Sequence, residues 1–336
     1  MRVPEKGVTI SILTKDRNFT VSQSMVTGEM YVCYYLDHTF MDPKKLALLS
    51  SEIKQNCCNH FKDALLVTTC HRVEAYYPFL MPEDPIEKAL GIKARCIRGK
   101  DALENRLMEI SCGVQSVILG EKFIYYQVLQ AVNSLPDDHT MKRFGNNVLK
   151  NAKQVRENHN FYAVDDYEGI SLSLINKWVE GTSFKTLIVV GAGMLSLQVA
   201  QYASQNNYTN VIMISRVAKK FRKKNRENPY PFQVCSLNTL PEDLYDTPFH
   251  CFIATTNICE TYQTRLFDIV SQNNCKSVID MSSIPAFQSE TVSDKLHITM
   301  YDDPYLKEVS RSNQKLLPVK VLVENDIQKT TLGDAQ

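Results

Sequence analysis

A single cysteine, Cys70, stands between two β-type runs, Leu65-Leu66-Val67-Thr68-Thr69 and Val73-Glu74-Ala75-Tyr76-Tyr77, with His71 and Arg72 directly after it. A thiol delivered to the mouth of a strand beside cations is the pattern of a nucleophile. Positive neighbours favour the thiolate, and the thiolate is the reactive form. The competing reading is a buried core thiol, since free cysteine packs as a small apolar side chain. His71 reads equally as a substrate contact or base and as a solvated turn residue. Glu74 reads as structural, bonding the turn or Arg72.

A second chemical pattern lies further along. Thr186-Leu187-Ile188-Val189-Val190 is a continuous apolar run, and Gly191, Ala192, Gly193, Met194, Leu195 and Ser196 follow it into a helical stretch. A glycine turn between a strand and a helix lets backbone N–H groups approach a pyrophosphate at the positive helix end. Ser196 replaces the third glycine and is small enough to keep the helix near the strand. The next strand, Val211-Ile212-Met213-Ile214, ends on Ser215-Arg216, where an NAD site would carry a carboxylate. A hydroxyl and a cation suit a 2′-phosphate, so the expected cofactor is NADPH. The run Lys219, Lys220, Arg222, Lys223, Lys224, Arg226 fits a solvated helix face or an RNA contact. A thiol nucleophile together with a dinucleotide loop points to an oxidoreductase working on a thioester.

The elements that must position these groups follow from periodicity. Tyr31 to Leu36 reads as a strand, Pro43 to Gln55 as an amphipathic helix, and the Cys70 segment as strand-turn-strand. Pro78, Pro82 and Pro85 lead into a short helix. Helices are expected over Asp101–Val117, Glu121–Leu135 and Met141–His159. One small sheet followed by helices reads as α+β. From about Gly181 short strands alternate with helices, at Val211–Ile214, Phe232–Val234, Phe249–Ala254, Ser277–Ile279 and Ile298–Met300. That series predicts a parallel sheet covered on both faces. Beyond Pro304 the chain is polar and helix-like, interrupted by Pro318.

At 336 residues, 44% hydrophobic and 22% charged, the chain has room for two cores of ordinary globular type. A net charge of +1 gives no global pull toward nucleic acid or membrane, so an RNA partner needs a local basic patch. The ten cysteines show no CxxC or Cys/His metal spacing and read as reduced thiols, and no metal site is expected. Without a secretory leader or a long apolar run, the expected location is the cytoplasm.

Several boxes resemble glutamyl-tRNA reductase, the first enzyme of tetrapyrrole synthesis from glutamate. Thr69-Cys70-His71-Arg72-Val73-Glu74 is similar to its Thr-Cys-Asn-Arg-Thr-Glu signature. Ser111 through Glu121 resembles Ala-Ser-Gly-Leu-Asp-Ser-Leu-Val-Leu-Gly-Glu, and Tyr126-Gln127-Val128 resembles Gly-Gln-Val. Gly191-Ala192-Gly193, Ser215-Arg216, Ala254-Thr255-Thr256, Asp280 to Pro285 and Leu36-Asp37-His38 resemble further boxes, in order from about residue 30 to 310. The resemblance implies a thioester mechanism. Cys70 takes the glutamyl group from tRNA, and NADPH reduces it to glutamate-1-semialdehyde. It implies catalytic roles at Cys70, His71 and Arg106, the last standing at the family's histidine position. It implies substrate contacts from Thr69, Arg72, Ser116, Glu121, Lys122, Phe123 and Gln127. Cofactor contacts would come from Gly191, Ala192, Gly193, Met194, Leu195, Ser196, Ser215 and Arg216. The chain departs from the pattern at His71 (Asn), Arg106 (His), Gln115 (Asp), Phe123 (Gln), Glu109 (Arg) and Ala286 (Arg).

The expected architecture is therefore a multidomain α/β and α+β chain. It comprises an uncommitted extension over 1–29 with Met25 and Met30 as alternative starts, and a catalytic α+β domain over 30–160. A Rossmann NADP-binding domain over 161–303 and a partial C-terminal helical segment over 304–336 follow. The family's C-terminal dimerisation domain is mostly missing from this reading, which puts the homodimer in question. Expected partners are glutamyl-tRNA(Glu) and the downstream aminomutase. Two alternatives stand beside this one: a catalytically silent relative that binds tRNA or a pathway partner, and an unrelated NADP-dependent dehydrogenase of a free small molecule.

Overall fold

The computed structural model describes residues 31–333 except 178–185, 207, 220, 222–228, 242–243, 245, 256–259 and 288–295. The alternative starts Met25 and Met30, Lys220, the basic residues Arg222 to Arg226, and Thr256 lie outside the described residues.

The first half is built on an antiparallel sheet of β1 (Val32–Asp37), β2 (Leu65–Thr69), β3 (Arg72–Tyr77) and β4 (Arg95–Arg98), in the order β2-β3-β1-β4. All six residues of β3 are buried because both faces of the sheet are covered. On one face, Val32, Tyr34, Leu36, Val73 and Tyr77 pack on Leu46, Leu49 and Ile53 from α1 (Pro43–Glu52) and the turn after it. On the other, Cys33, Leu65, Val67 and Tyr76 meet α3 (Lys100–Cys112), α4 (Phe123–Asn133) and α5 (Thr140–Asn158). A short α2 (Pro85–Leu90), capped by the Asp84 carboxylate, precedes β4. Helix α6 (Tyr167–Lys177) leads into the second half.

There a six-stranded, wholly parallel sheet runs in the order β10-β9-β8-β5-β6-β7. Its strands are β5 (Thr186–Val190), β6 (Asn210–Ile214), β7 (Gln233–Cys235), β8 (Phe249–Ile253), β9 (Cys275–Asp280) and β10 (Leu296–Thr299). Renumbered from its first strand this is the doubly wound order 3-2-1-4-5-6, whose switch point lies between β5 and β8. Helix α7 (Met194–Gln205) follows β5, and α8 (Glu260–Val270) covers the opposite face. The α+β and α/β fold class read from the sequence is the one observed.

The chain then turns back. Helix α9 (Asp303–Gln314) buries Tyr305 and Val309 against the parallel-sheet half, while α10 (Leu317–Gly333) buries Val323 and Ile327 in the core of the first half. Pro318 falls in the first turn of α10, where the missing N–H has no helical partner to lose. Asn313 joins the halves: its side chain accepts from Leu119 N–H at 2.8 Å and donates to the Val117 carbonyl at 2.8 Å.

Three expected boundaries move. The helix expected to Gln55 stays α-helical only to Glu52, then widens into a π-helical turn over Ile53–Cys57. The helix expected to Val117 stops at Cys112, because Gly113 adopts φ 79° and its N–H closes back onto the carbonyls of Glu109 and Ile110. The stretch after it is therefore free to form a loop. The helix expected from Glu121 begins at Phe123.

Candidate active site

Thr69 pairs with Arg72 across β2 and β3, so Cys70 and His71 are the two loop residues of a tight hairpin. Two-residue hairpin loops favour turns with positive φ and hence Gly or Asn. Neither Cys70 nor His71 has positive φ, so chemically useful side chains occupy a turn that glycine would ordinarily fill. The Thr69 hydroxyl accepts the His71 N–H at 3.1 Å, and the His71 carbonyl accepts the His38 N–H at 3.1 Å, which fixes the turn from both sides.

A cavity of about 450 Å³ opens at this turn and reaches the glycine loop of the second half. Its walls include Thr69, Cys70, His71 and Arg72 from the hairpin, Ser116 and Glu121 from the loop after α3, and Phe123 and Gln127 from α4. Gly193, Met194, Leu195 and Ser196 line it from the other half. Twelve of the residues singled out by sequence thus line one cleft between the two sheets. Ala47, Ser50, Ser51 and Lys54 line it from α1 and its π-helical turn, and Tyr167, Met281, Ser283 and Met300 are among its other walls. The sequence reading missed these, although Ala47, Ser50, Ser51 and Lys54 carry a signal. They fall at i, i+3, i+4 and i+7, a small and polar stripe on one helical face.

Cys70 is half-buried and unpaired by disulfide. Burial pushes its thiol pKa up, while Lys54, a hydrogen bond to its own backbone and then Arg72 pull it down. The expectation that neighbouring cations favour the thiolate is thereby corrected, because desolvation is the larger influence. His71 is driven to about 4, by burial and then by the Arg72 guanidinium. It is a neutral imidazole near pH 7, so it cannot serve as a cation beside the sulfur. Both of its ring nitrogens are buried without a hydrogen-bond partner among the described residues, and the ring meets His38 edge-on at 5.6 Å.

Arg72 is buried and spoken for. One terminal nitrogen donates to Glu74 at 3.2 Å and the other to the Gln115 carbonyl at 2.7 Å. Glu74, fully buried, also accepts from Tyr76 at 2.6 Å and from Arg106 at 2.9 Å on each oxygen. Arg106 reaches on to Asp37 at 2.8 Å and stacks over Tyr35 with its guanidinium carbon 3.6 Å from the ring centre. Two arginines and two carboxylates form a charge-balanced buried network behind the hairpin. Arg106 does not line the cleft, so the expected catalytic place for it is replaced by a supporting one.

Glu121 is also committed. Its carboxylate accepts the first N–H groups of α4, from Phe123 and, at 2.9 Å, from Ile124. This is the favourable place for an acid at a helix start. Burial, followed by the charge of Asp166, nevertheless raises its pKa to about 8. Gly120 places it: at φ 68° the backbone closes on residues 161–163, and an added Cβ would meet the Ala163 N and the Phe161 O at 3.1 Å. Lys122 points out of the cleft to Glu168 and Asp166, not to a substrate position.

In the glycine loop, Gly191 has φ 132°, and an added Cβ would stand 2.2 Å from the Ala254 carbonyl oxygen. The Ser196 hydroxyl donates to the same oxygen at 3.2 Å, tying α7 to the end of β8 across the switch point. Gly193 opens α7 with nothing within 4 Å of an added Cβ. A tight crossing followed by an open helix start fits a pyrophosphate. Gly191 and Ala192 shape this turn from outside the cleft lining. Ser215 is buried and its hydroxyl accepts the Val217 N–H at 3.1 Å, so it fixes the turn at the end of β6. The exposed Arg216 beside it lies over the Tyr262 ring, 5.8 Å from its centre. Neither residue reaches the cleft.

Residues 34–159 match the family model of the glutamyl-tRNA(Glu) reductase N-terminal domain. Over these residues the chain is similar to glutamyl-tRNA reductases. It is 29% identical over 203 residues to the glutamyl-tRNA reductase of Pseudoalteromonas translucida, covering 55% of this chain and 48% of that one. It is 27% identical over 305 residues to Protein nfe2 of Rhizobium meliloti, covering 90% of this chain and 98% of that protein. The matches to glutamyl-tRNA reductases span 40% to 52% of those proteins' length. A solved glutamyl-tRNA reductase from Methanopyrus kandleri gives a TM-score of 0.44 at 19% identity, over 91% of this chain and 80% of that one, a likeness too distant to carry argument. No helix among the described residues is long and apolar enough to cross a membrane.

Proposed function

We propose that the cleft reduces glutamyl-tRNA(Glu) to glutamate-1-semialdehyde through a thioester on Cys70, with NADPH as reductant. The observation that carries this reading is the shared cavity. Cys70, the only cysteine among the described residues of its lining, and the open start of α7 face the same space. In the reaction the Cys70 thiolate attacks the ester carbonyl, the C–S bond forms, the C–O bond breaks, and the tRNA ribose oxygen leaves with a proton. NADPH bound at the Gly191–Gly193 turn would supply the hydride for the acyl carbon, and cleavage of the C–S bond would then release the aldehyde and restore the Cys70 thiolate. Gly191 and Gly193 would admit the pyrophosphate, and Arg216 is the cation at the end of β6 that suits a 2′-phosphate. His71, neutral and with unmet ring nitrogens, is suited to hydrogen-bond the substrate. Gln127, Ser116 and Thr69 supply further polar contacts, and Glu121 holds the start of the helix that presents Gln127. A thioester accepts hydride more readily than a carboxylate, which is the reason for covalent catalysis.

A second reading, binding of tRNA or of the pathway's aminomutase without turnover, is favoured by one observation. The family's histidine position carries Arg106, which is locked into the buried network instead of facing the cleft. One experiment separates the two. The protein is incubated with radiolabelled glutamyl-tRNA without cofactor, and the Cys70 peptide is analysed by mass spectrometry. A glutamyl adduct on Cys70, absent in Cys70→Ser, supports the enzyme. Retention of tRNA with no adduct refutes the thioester and leaves the binding reading.

A further inference from the structure

We infer that Lys54 is the counter-ion of the Cys70 thiolate, a positioning residue that the hairpin itself does not supply. The inference rests on the proposed nucleophilic role of Cys70 and deepens it. Three observations lead to it.

The first is placement. α1 presents Ala47, Ser50 and Ser51 to the cleft, all small, and the π-helical turn then presents Lys54, the one long basic side chain of that wall. A π-helical turn is rare and tends to mark functional positions. Here it falls where the chain must turn from α1 toward β2, which delivers Cys70.

The second is charge. Arg72 and Lys54 are the two strongly basic side chains in the cleft lining. The Arg72 charge is matched by Glu74, and the Arg106 charge by Glu74 and Asp37. The hairpin cluster therefore leaves no net positive charge for the sulfur. His71 is neutral near pH 7. The third is coupling: Lys54 acts on the Cys70 thiol more strongly than Arg72 does, and the sulfur in turn acts on the Lys54 ammonium. The other titratable groups facing Cys70 are the phenols of Tyr167, Tyr301 and Tyr305, all with raised pKa and therefore neutral, and Glu121 across the cleft. On this account the thiol proton passes to solvent water, and Lys54 at the exposed mouth of the cleft holds the remaining anion.

Alkylation of Cys70 by iodoacetamide, followed by mass spectrometry of its peptide so that the exposed Cys96 does not interfere, reads this without substrate or cofactor. Lys54 is exposed, so Lys54→Met leaves the fold intact. The midpoint of the rate–pH profile should move up, and the rate at pH 7.5 should fall about three- to tenfold, as expected for loss of one nearby cation. Lys54→Arg should restore both. An unchanged profile in Lys54→Met overturns the inference. A shifted profile in a protein that forms no glutamyl adduct keeps Lys54 as counter-ion and refutes the thioester mechanism, so the two failures are distinguishable.

Discussion

His71 makes the clearest demand on the physics of the site. Its imidazole is held neutral by burial first and by the adjacent Arg72 second, with a pKa of about 4 against an ordinary 6.5. As the pH falls below 6.5 the unfolded chain binds a proton at this position and the native chain does not, so acid favours unfolding until the native pKa is reached. The stability held above 6.5 is therefore lost on the way down to about 4 and levels off below it. Proton linkage for these two pKa values gives a loss of about 2 kcal/mol between pH 7.5 and pH 5. His71→Asn removes the titration and puts the family's own residue into a turn that tolerates it. His38, lowered by burial first and then by His71, remains in both proteins, so its burial contribution is common to both and the difference between them reports His71 together with its influence on His38. Urea unfolding of wild type and His71→Asn at pH 7.5 and pH 5 is the assay. The wild type should lose about 2 kcal/mol more than the variant. Parallel losses would mean that His71 is protonated near its ordinary pKa. It would then be a cation beside Cys70, and the reasoning that assigns that place to Lys54 would fail.

Two further outcomes follow from the supporting structure. Arg106→Met leaves Glu74 and Asp37 buried without their shared partner, and breaking a buried pair in this way costs about 3–5 kcal/mol. Thermal unfolding checks it, and a variant that keeps its stability but loses activity would place Arg106 in the chemistry after all. Gly191→Ala forces a side chain to φ 132° with its Cβ 2.2 Å from the Ala254 oxygen. NADPH binding followed by fluorescence should be abolished and stability lowered by at least about 1–3 kcal/mol of backbone strain. Undiminished binding would show that the loop does not cradle the cofactor.

How much of this was legible in the sequence depends on how local the cause is. The Cys70 hairpin, the glycine loop and the break before Pro318 each follow from a few adjacent residues, and each is where it was expected. β4 was missed because Arg95-Cys96-Ile97-Arg98 is largely exposed at a sheet edge and has no buried face to impose alternation. The helix end at Gly113 was missed because a positive-φ stop can be written by a single residue inside an otherwise helical pattern. The role of Arg106 was illegible for a different reason. Its partners, Asp37 and Glu74, lie 69 and 32 residues away, and only the strand pairing that sets Asp37 opposite Arg72 brings them together.

That distinction bears on the positions where the chain departs from the glutamyl-tRNA reductase pattern it resembles. The cleft keeps the thiol, the hairpin arginine, the helix-capping glutamate and the open start of α7. The histidine expected beside the substrate has become an arginine bound to carboxylates behind the sheet. On the proposed mechanism, that substitution takes a titratable group out of the chemistry and ties it into the wall behind the hairpin. A neutral imidazole has appeared one residue from the sulfur, and a lysine stands at the cleft mouth. On the proposed mechanism, polar groups for the chemistry come from the hairpin and from the turn after α1, and not from Arg106 on α3. The Lys54 and His71 variants test the contributions of those two elements to the proposed chemistry independently.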